Sequence, residues 1–279
     1  MFILSYLFEE EHTASRFIDI SIVFLIVGLI IYVGILIYLV IRYYNYKVKL
    51  EDKYLIISYG LIKKIHNTLP LNRVKAIKIE EGFIRRLFKI CSIKLEIVGF
   101  GSASQNMILN YYIPFCTKDR VNNYIDQLQL DFRYHDRVHK APRKSWKYFY
   151  SLPLIILSSI FIAFVPIVFI IEDILFVYIG LYLFLVLFIL LTAFLMYSNS
   201  GIYIDDIEVI VYGGTYNKKT TIILNENITC IEKLDTYLRA QKDIATYNIH
   251  FYNNAVKNVE RASLLDRNIY EELVKSLRY

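Results

Sequence analysis

Phe83-Ile84-Arg85-Arg86-Leu87-Phe88-Lys89-Ile90-Cys91-Ser92-Ile93-Lys94-Leu95 is echoed, without a gap and 154 positions later, by Tyr237-Leu238-Arg239-Ala240-Gln241-Lys242-Asp243-Ile244-Ala245-Thr246-Tyr247-Asn248-Ile249. A β-rich, water-soluble unit has been written twice. Two long apolar runs with only Glu172-Asp173 between them separate the copies, so the repeat is no solenoid. It is a pair of soluble units interrupted by a membrane hairpin.

Composition agrees, since 56% hydrophobic residues exceed what a soluble core of 279 residues needs. Three runs qualify as spans: Asp19 to Arg42, Phe149 to Ile171, and Ile174 to Tyr197. Each has roughly 22 to 24 residues, enough at about 1.5 Å per residue to cross a hydrocarbon layer of about 30 Å. The first is read as a retained anchor. Its apolar core is longer than a signal peptide's, Glu9, Glu10 and Glu11 precede it, and no small-x-small cleavage site follows. Arg42, Lys47 and Lys49 after the first span and the basic run before the second put the soluble parts in the cytoplasm and the N-terminus outside. The expected organisation is an extracytoplasmic segment 1–18, a span 19–42, a soluble unit 43–132, a basic linker 133–148, spans 149–171 and 174–197, and a second unit 198–279.

In the first unit, period-two alternation marks strands at 47–50, 54–59, 74–79 and 92–97, with Gly60 turning after Tyr59. Thr117 caps an amphipathic helix carrying Val121, Tyr124, Ile125 and Leu128. The second unit repeats the order, with strands 202–205 and 209–212, Tyr212-Gly213 set against Tyr59-Gly60, and a closing helix over 265–273. The fold class expected is three transmembrane helices plus two small β-barrels or sandwiches, each plugged by its C-terminal helix. Cys91, Cys116 and Cys230 are odd in number and lack ligand spacing, so neither disulfides nor metal is expected. Cys91 aligns with Ala245 and Cys230 with Ala76, which makes both small core residues.

Tyr59-Gly60-Leu61-Ile62-Lys63-Lys64, then Leu69-Pro70-Leu71-Asn72-Arg73-Val74, then Arg85-Arg86-Leu87-Phe88-Lys89-Ile90 resemble the bacterial pleckstrin-homology (PH) domain of YdbS and YdbT type membrane proteins. The resemblance implies two roughly orthogonal antiparallel sheets closed by a C-terminal helix, alternating with membrane hairpins, and no assigned reaction. The second copy departs from it with Ile223 set against Pro70 and no basic residue at the place of Arg86.

Charge divides the copies. Residues 43–149 carry 20 Lys and Arg against 9 Asp and Glu, a balance of +11, whereas 198–279 carry 10 against 11. A positive surface beside a membrane attracts anionic headgroups. The candidate anion and lipid contacts are Lys63, Lys64 and Arg73 at the end of the first unit, and Arg137, Lys140, Arg143, Lys144 and Lys147 before the second span. Trp146 and Tyr148 are candidate interfacial anchors. Arg85, which recurs as Arg239, reads as structural in both copies. His135 and His139, four apart, would share a helix face with Asp131, but flanking arginines oppose a cation there. No nucleophile elbow, phosphate-binding glycine loop or nucleic-acid recognition pattern is present. These features point to a non-enzymatic membrane protein without a cofactor, bound to anionic lipids and a protein partner and able to self-associate. An anionic-headgroup sensor and a transport or export subunit are the other classes open.

Overall fold

The computed structural model describes residues 2–97, 111–135, 138–170, 175–251 and 259–277. The chain divides into two compact units, residues 1–69 and 70–279.

The first unit begins with α1 (Phe2–Arg42), whose part from Ile22 to Arg42 is long and apolar enough to span a membrane. Three strands follow, β1 (Lys47–Glu51), β2 (Tyr54–Tyr59) and β3 (Ile65–Pro70), in the order β1-β2-β3, with β1 antiparallel to β2. Leu55, Ile57 and Tyr59 bury alternate positions of β2, as a strand with one wet face must. The rings of Tyr43, Tyr46 and Tyr59 group at centroid separations of 5.5 to 6.4 Å and fasten β2 to the end of α1.

In the second unit, β4 (Val74–Glu81), β5 (Ile90–Ile97) and β6 (Tyr111–Thr117) precede a short helix α3 (Val121–Asp126). Between β4 and β5 lies a helical turn, α2 (Phe83–Leu87). A two-residue strand β7 (His139–Lys140) leads into the apolar pair α4 (Trp146–Ile170) and α5 (Leu175–Asn199). The second copy then runs through β8 (Gly201–Ile204), β9 (Glu208–Gly213), β10 (Lys218–Leu224), β11 (Ile228–Leu234), the turn α6 (Tyr237–Ala240), β12 (Ile244–Phe251), β13 (Val259–Asp266) and α7 (Ile269–Ser276). Seven strands form one sheet in the order β6-β5-β4-β10-β9-β8-β7, and three form another, β11-β12-β13. The main core joins Ile202, Val209, Val211 and Ile223 of the first sheet to Tyr247, Ile249 and Leu265 of the second, with Ile269 and Leu273 of α7 filling it.

The backbone keeps the repeat at a constant offset of 154. Gly60 and Gly214 both hold positive φ, at 106° and 98°, and a Cβ on either would sit about 2 Å from a carbonyl oxygen, of Lys63 or of Asn217. Lys89 and Asp243, which follow α2 and α6, both have φ of 53°. The 3-10 turns Leu71–Arg73 and Asn225–Asn227 coincide, and so do the register shifts at Val74/Ala76 and Ile228/Cys230.

Four expectations need correcting. The sheets are open and no closed barrel forms, because β4 spends its outer edge on β10 of the other copy. Gly214 is the counterpart of Gly60, and Leu224 that of Pro70, one residue from the alignment expected. Leu265 and Asp266 end β13, and the last helix starts at Ile269. Residues 131–135 are not helical and His139 is in β7, so the spacing of His135 and His139 does not set their imidazoles on one helix face.

Candidate functional site

The copies meet along β4 and β10, which pair antiparallel from Lys218 opposite Glu81 to Ile223 opposite Ala76. Ladder bonds are reinforced by Lys78 of β4, whose Nζ lies 3.1 Å from Glu96 and 2.9 Å from Glu260 of β13. Burial works to lower the pKa of Lys78, but Glu260 and Glu96 outweigh it and hold the ammonium above its ordinary range. The Asn227 side chain donates to the carbonyl of Lys75 at 3.3 Å, a second tie between the copies.

In the repeat, β11 is the counterpart of β4. Among the described residues β11 pairs only with β12, so the edge that in β4 carries β10 is open. The consequence is visible at one pair of positions. Ala76 is 0% exposed beneath β10, whereas Cys230 at the same place is exposed. The expectation that Cys230 is a core residue therefore fails, for want of the neighbouring strand that covers Ala76. Cys91 and its counterpart Ala245 are both buried as expected. Cys91 also faces Cys116 across β5 and β6, the two free thiols 3.2 Å apart.

Both repeated helical turns are tied to the ends of the hairpin. Arg86 of α2 donates to Asn199 Oδ1 at 3.1 Å, and Asn199, the last residue of α5, donates to the carbonyls of Gly214 and Thr215. Leu238 of α6 accepts a hydrogen bond from Tyr148, the third residue of α4, at 3.2 Å. Arg85 stacks on Phe115 and Arg239 on Tyr148, so both arginines have aromatic partners, though on different elements. Trp146 packs its ring on Tyr150, Phe194 and Tyr197, closing the same end of the α4–α5 pair, and Lys147 lies 5.3 Å from the Tyr148 ring.

The basic candidates scatter. Lys63 and Lys64 are exposed in the β2–β3 turn of the first unit, and Arg73 is exposed in the second. Lys140 is exposed in β7, Arg143 is exposed just before α4, and Lys144 pairs with Asp266 at 2.9 Å. Arg137 lies outside the described residues.

Sequence reasoning passed over Glu208, at the start of β9. Its side chain is 3% exposed, accepts the backbone N–H of Arg133 at 2.9 Å, and has His135 Nε2 3.6 Å away. Burial pushes its carboxyl up to about 7 against that hydrogen bond, with Asp205 adding to the rise. Tyr212 donates to the carbonyl of His135, so β9 clips the segment before β7 at two points. A signal was available: Glu208 opens a run of four apolar and aromatic residues, where a lone carboxylate in a strand needs a partner.

Residues 3–131 match the family model described as Bacterial PH domain. The UPF0699 transmembrane protein YdbT of Bacillus subtilis (strain 168) is 28% identical over 127 residues, covering 43% of this chain. The chain spans 26% of that relative's length. No solved structure matches. The resemblance to YdbS and YdbT type membrane proteins is thereby borne out over the first half of the chain, which is similar to a bacterial PH domain, and the described residues hold three apolar helices long enough to span a membrane.

Proposed function

We propose that the chain is a non-enzymatic tether that holds a protein partner at the cytoplasmic face of the membrane through the open edge of β11. Each copy acts as a PH-like unit, and the hairpin fixes both at one surface. Weak contacts to a shared partner then sum, because the second binding event is intramolecular.

The observation that carries this reading is the pairing of β10 with β4 beside the vacant edge of its counterpart β11. Strand addition uses such an edge, with main-chain hydrogen bonds giving affinity and alternate side chains giving specificity. The occupant that fits is a strand like β10 from a further PH-like unit. Transferred by 154 residues, the template sets that strand opposite residues 230–235, so that a basic residue in the place of Lys218 meets Asp235 as Lys218 meets Glu81. An apolar residue in the place of Ile223 would cover Cys230.

The test is a photo-crosslinker on Cys230 in the full-length chain within its native membrane, followed by purification in mild detergent and mass spectrometry. The buried Cys91 and Cys116 leave Cys230 as the thiol to label. A crosslinked peptide from a β-strand of another protein, with recovery of that protein reduced in the unlabelled Cys230→Lys variant, supports the tether. Labelled wild type that yields no adduct with the partner it co-purifies, or undiminished recovery of that partner by Cys230→Lys, refutes it.

A further inference from the structure

Where α4 and α5 reach the β11-β12-β13 sheet there is a cleft of about 290 Å³. Its apolar wall includes Tyr148, Leu152 and Pro153 of α4 and Met196 of α5, and its cationic side is Arg239 of α6 and Arg261 of β13. We propose that this cleft binds the phosphate of an anionic phospholipid.

Two guanidinium groups line one small cleft, and among the described residues no carboxylate lines it. Arg261 also interacts with Glu232, which lies outside that lining, while the lining itself is positive, the environment in which a phosphate is held by charge-assisted hydrogen bonds. The groove beside α7 has the opposite character, with Asp131, Asp206 and Glu226 on its walls. Both arginines are oriented. Arg239 is stacked 6.0 Å from the Tyr148 ring centroid, and Arg261 spends its Nε donor on Asn248 Oδ1 at 3.2 Å, one of the five donors a guanidinium has.

The apolar half of the cleft favours a lipid over free phosphate. Leu152 and Met196 belong to the membrane helices and are 65% and 40% exposed, a surface that an acyl chain covers and an inorganic anion does not. Beside the cleft, Tyr237 and Leu238 of α6 are 78% and 67% exposed while α6 itself is held to the start of α4. Seated where the chain passes from Lys144 and Lys147 into the apolar helix, these two side chains enter the headgroup layer as an amphipathic wedge with Arg239. The cleft thus reads the phosphate at the depth where a phospholipid carries it.

This inference rests on α4 and α5 being membrane spans and not on the β11 edge, so Cys230→Lys leaves it unaffected. The experiment uses the full-length chain in mild, lipid-free detergent micelles. It is titrated separately with dioctanoyl phosphatidylglycerol, dioctanoyl phosphatidylcholine and inorganic phosphate, with fluorescence of Trp146, the sole tryptophan, as readout. Saturable binding of phosphatidylglycerol that weakens at least tenfold in Arg239→Gln, and further in Arg239→Gln/Arg261→Gln, is expected, with little phosphatidylcholine binding. The single variant keeps the Arg261–Asn248 bond, so it reports even if the double variant misfolds. Unchanged phosphatidylglycerol affinity in Arg239→Gln overturns the site. Equal affinity for inorganic phosphate overturns the lipid in favour of a free phosphate, and a loss in Lys63→Gln/Lys64→Gln alone moves the anion to the first unit.

Discussion

Glu208→Gln should stabilise the protein at alkaline pH and flatten its stability profile. Glu208 is buried, its pKa is raised by that burial from 4.5 to about 7, and the groups acting on it are the Arg133 backbone N–H, Asp205, the Arg133 guanidinium and His135. A carboxyl whose folded pKa exceeds its unfolded one binds its proton more tightly in the fold. Stability therefore falls as pH rises from the unfolded value towards about 7, and the loss is complete above that. At roughly 1.4 kcal/mol per unit the ceiling is about 3 kcal/mol, and solvent screening brings it to about 1–2 kcal/mol. Glutamine keeps an acceptor for the Arg133 N–H and cannot ionise. Its Tm at pH 8 should rise by roughly 2–8 °C over wild type, taking about 2–4 °C per kcal/mol for a unit of this size. The assay is thermal unfolding of the full chain in detergent, followed by Trp146 fluorescence at pH 5, 6, 7 and 8, with His135→Gln alongside. A wild-type slope that survives in Glu208→Gln and vanishes in His135→Gln would refute the reasoning, because the titrating group would then be the imidazole.

Leu273→Ala empties a fully buried position in α7 and should cost about 2–5 kcal/mol, read as an earlier thermal midpoint. Lys78→Met leaves Glu96 and Glu260 facing each other between the copies and should cost about 1–3 kcal/mol at pH 7. A double cycle with Glu260→Gln should recover part of that loss. Because the folded pKa of Lys78 is raised, its contribution should persist through neutral pH and fade only above the ordinary lysine range. Gly214→Ala puts a Cβ about 2 Å from the Asn217 carbonyl at φ of 98°, so the β9–β10 turn must shift, and a loss of about 1–3 kcal/mol is expected on chemical unfolding.

What the sequence made legible follows from periodicity and length. The three apolar runs, the strands at 47–50, 54–59, 74–79 and 92–97, and the duplicated unit all declare themselves locally, and the structure has helices long and apolar enough to span at the first and strands and a repeat at the others. Strand pairing between copies does not declare itself, because β10 carries the same alternating pattern whether its edge meets solvent or β4. The basic candidates were chosen by charge density alone, which says nothing about convergence. Lys144 is spent on Asp266, while Arg239 and Arg261, isolated in the sequence, come to line one cleft only through folding.

Ala76 and Cys230 show how the duplication bears on function. A tandem repeat whose units share a sheet is asymmetric by construction: β4 is covered by the copy that follows, and among the described residues its counterpart β11 is not. Were the two units independent, equivalent positions would have equivalent burial, and Cys230 would be as sheltered as Ala76. Instead β11 displays Cys230, Glu232 and Leu234 on an edge that no described residue pairs with, the situation that isolated proteins avoid with proline, bulges or inward charges. The bulge between Ile228 and Cys230 does not serve that end, since the same bulge in β4 coexists with full pairing to β10. An edge shaped like one that is already occupied elsewhere in the same chain supports the proposal that it accepts a strand. Slow amide exchange along residues 230–234 in native membranes, set against fast exchange of the purified chain, would be its direct signature.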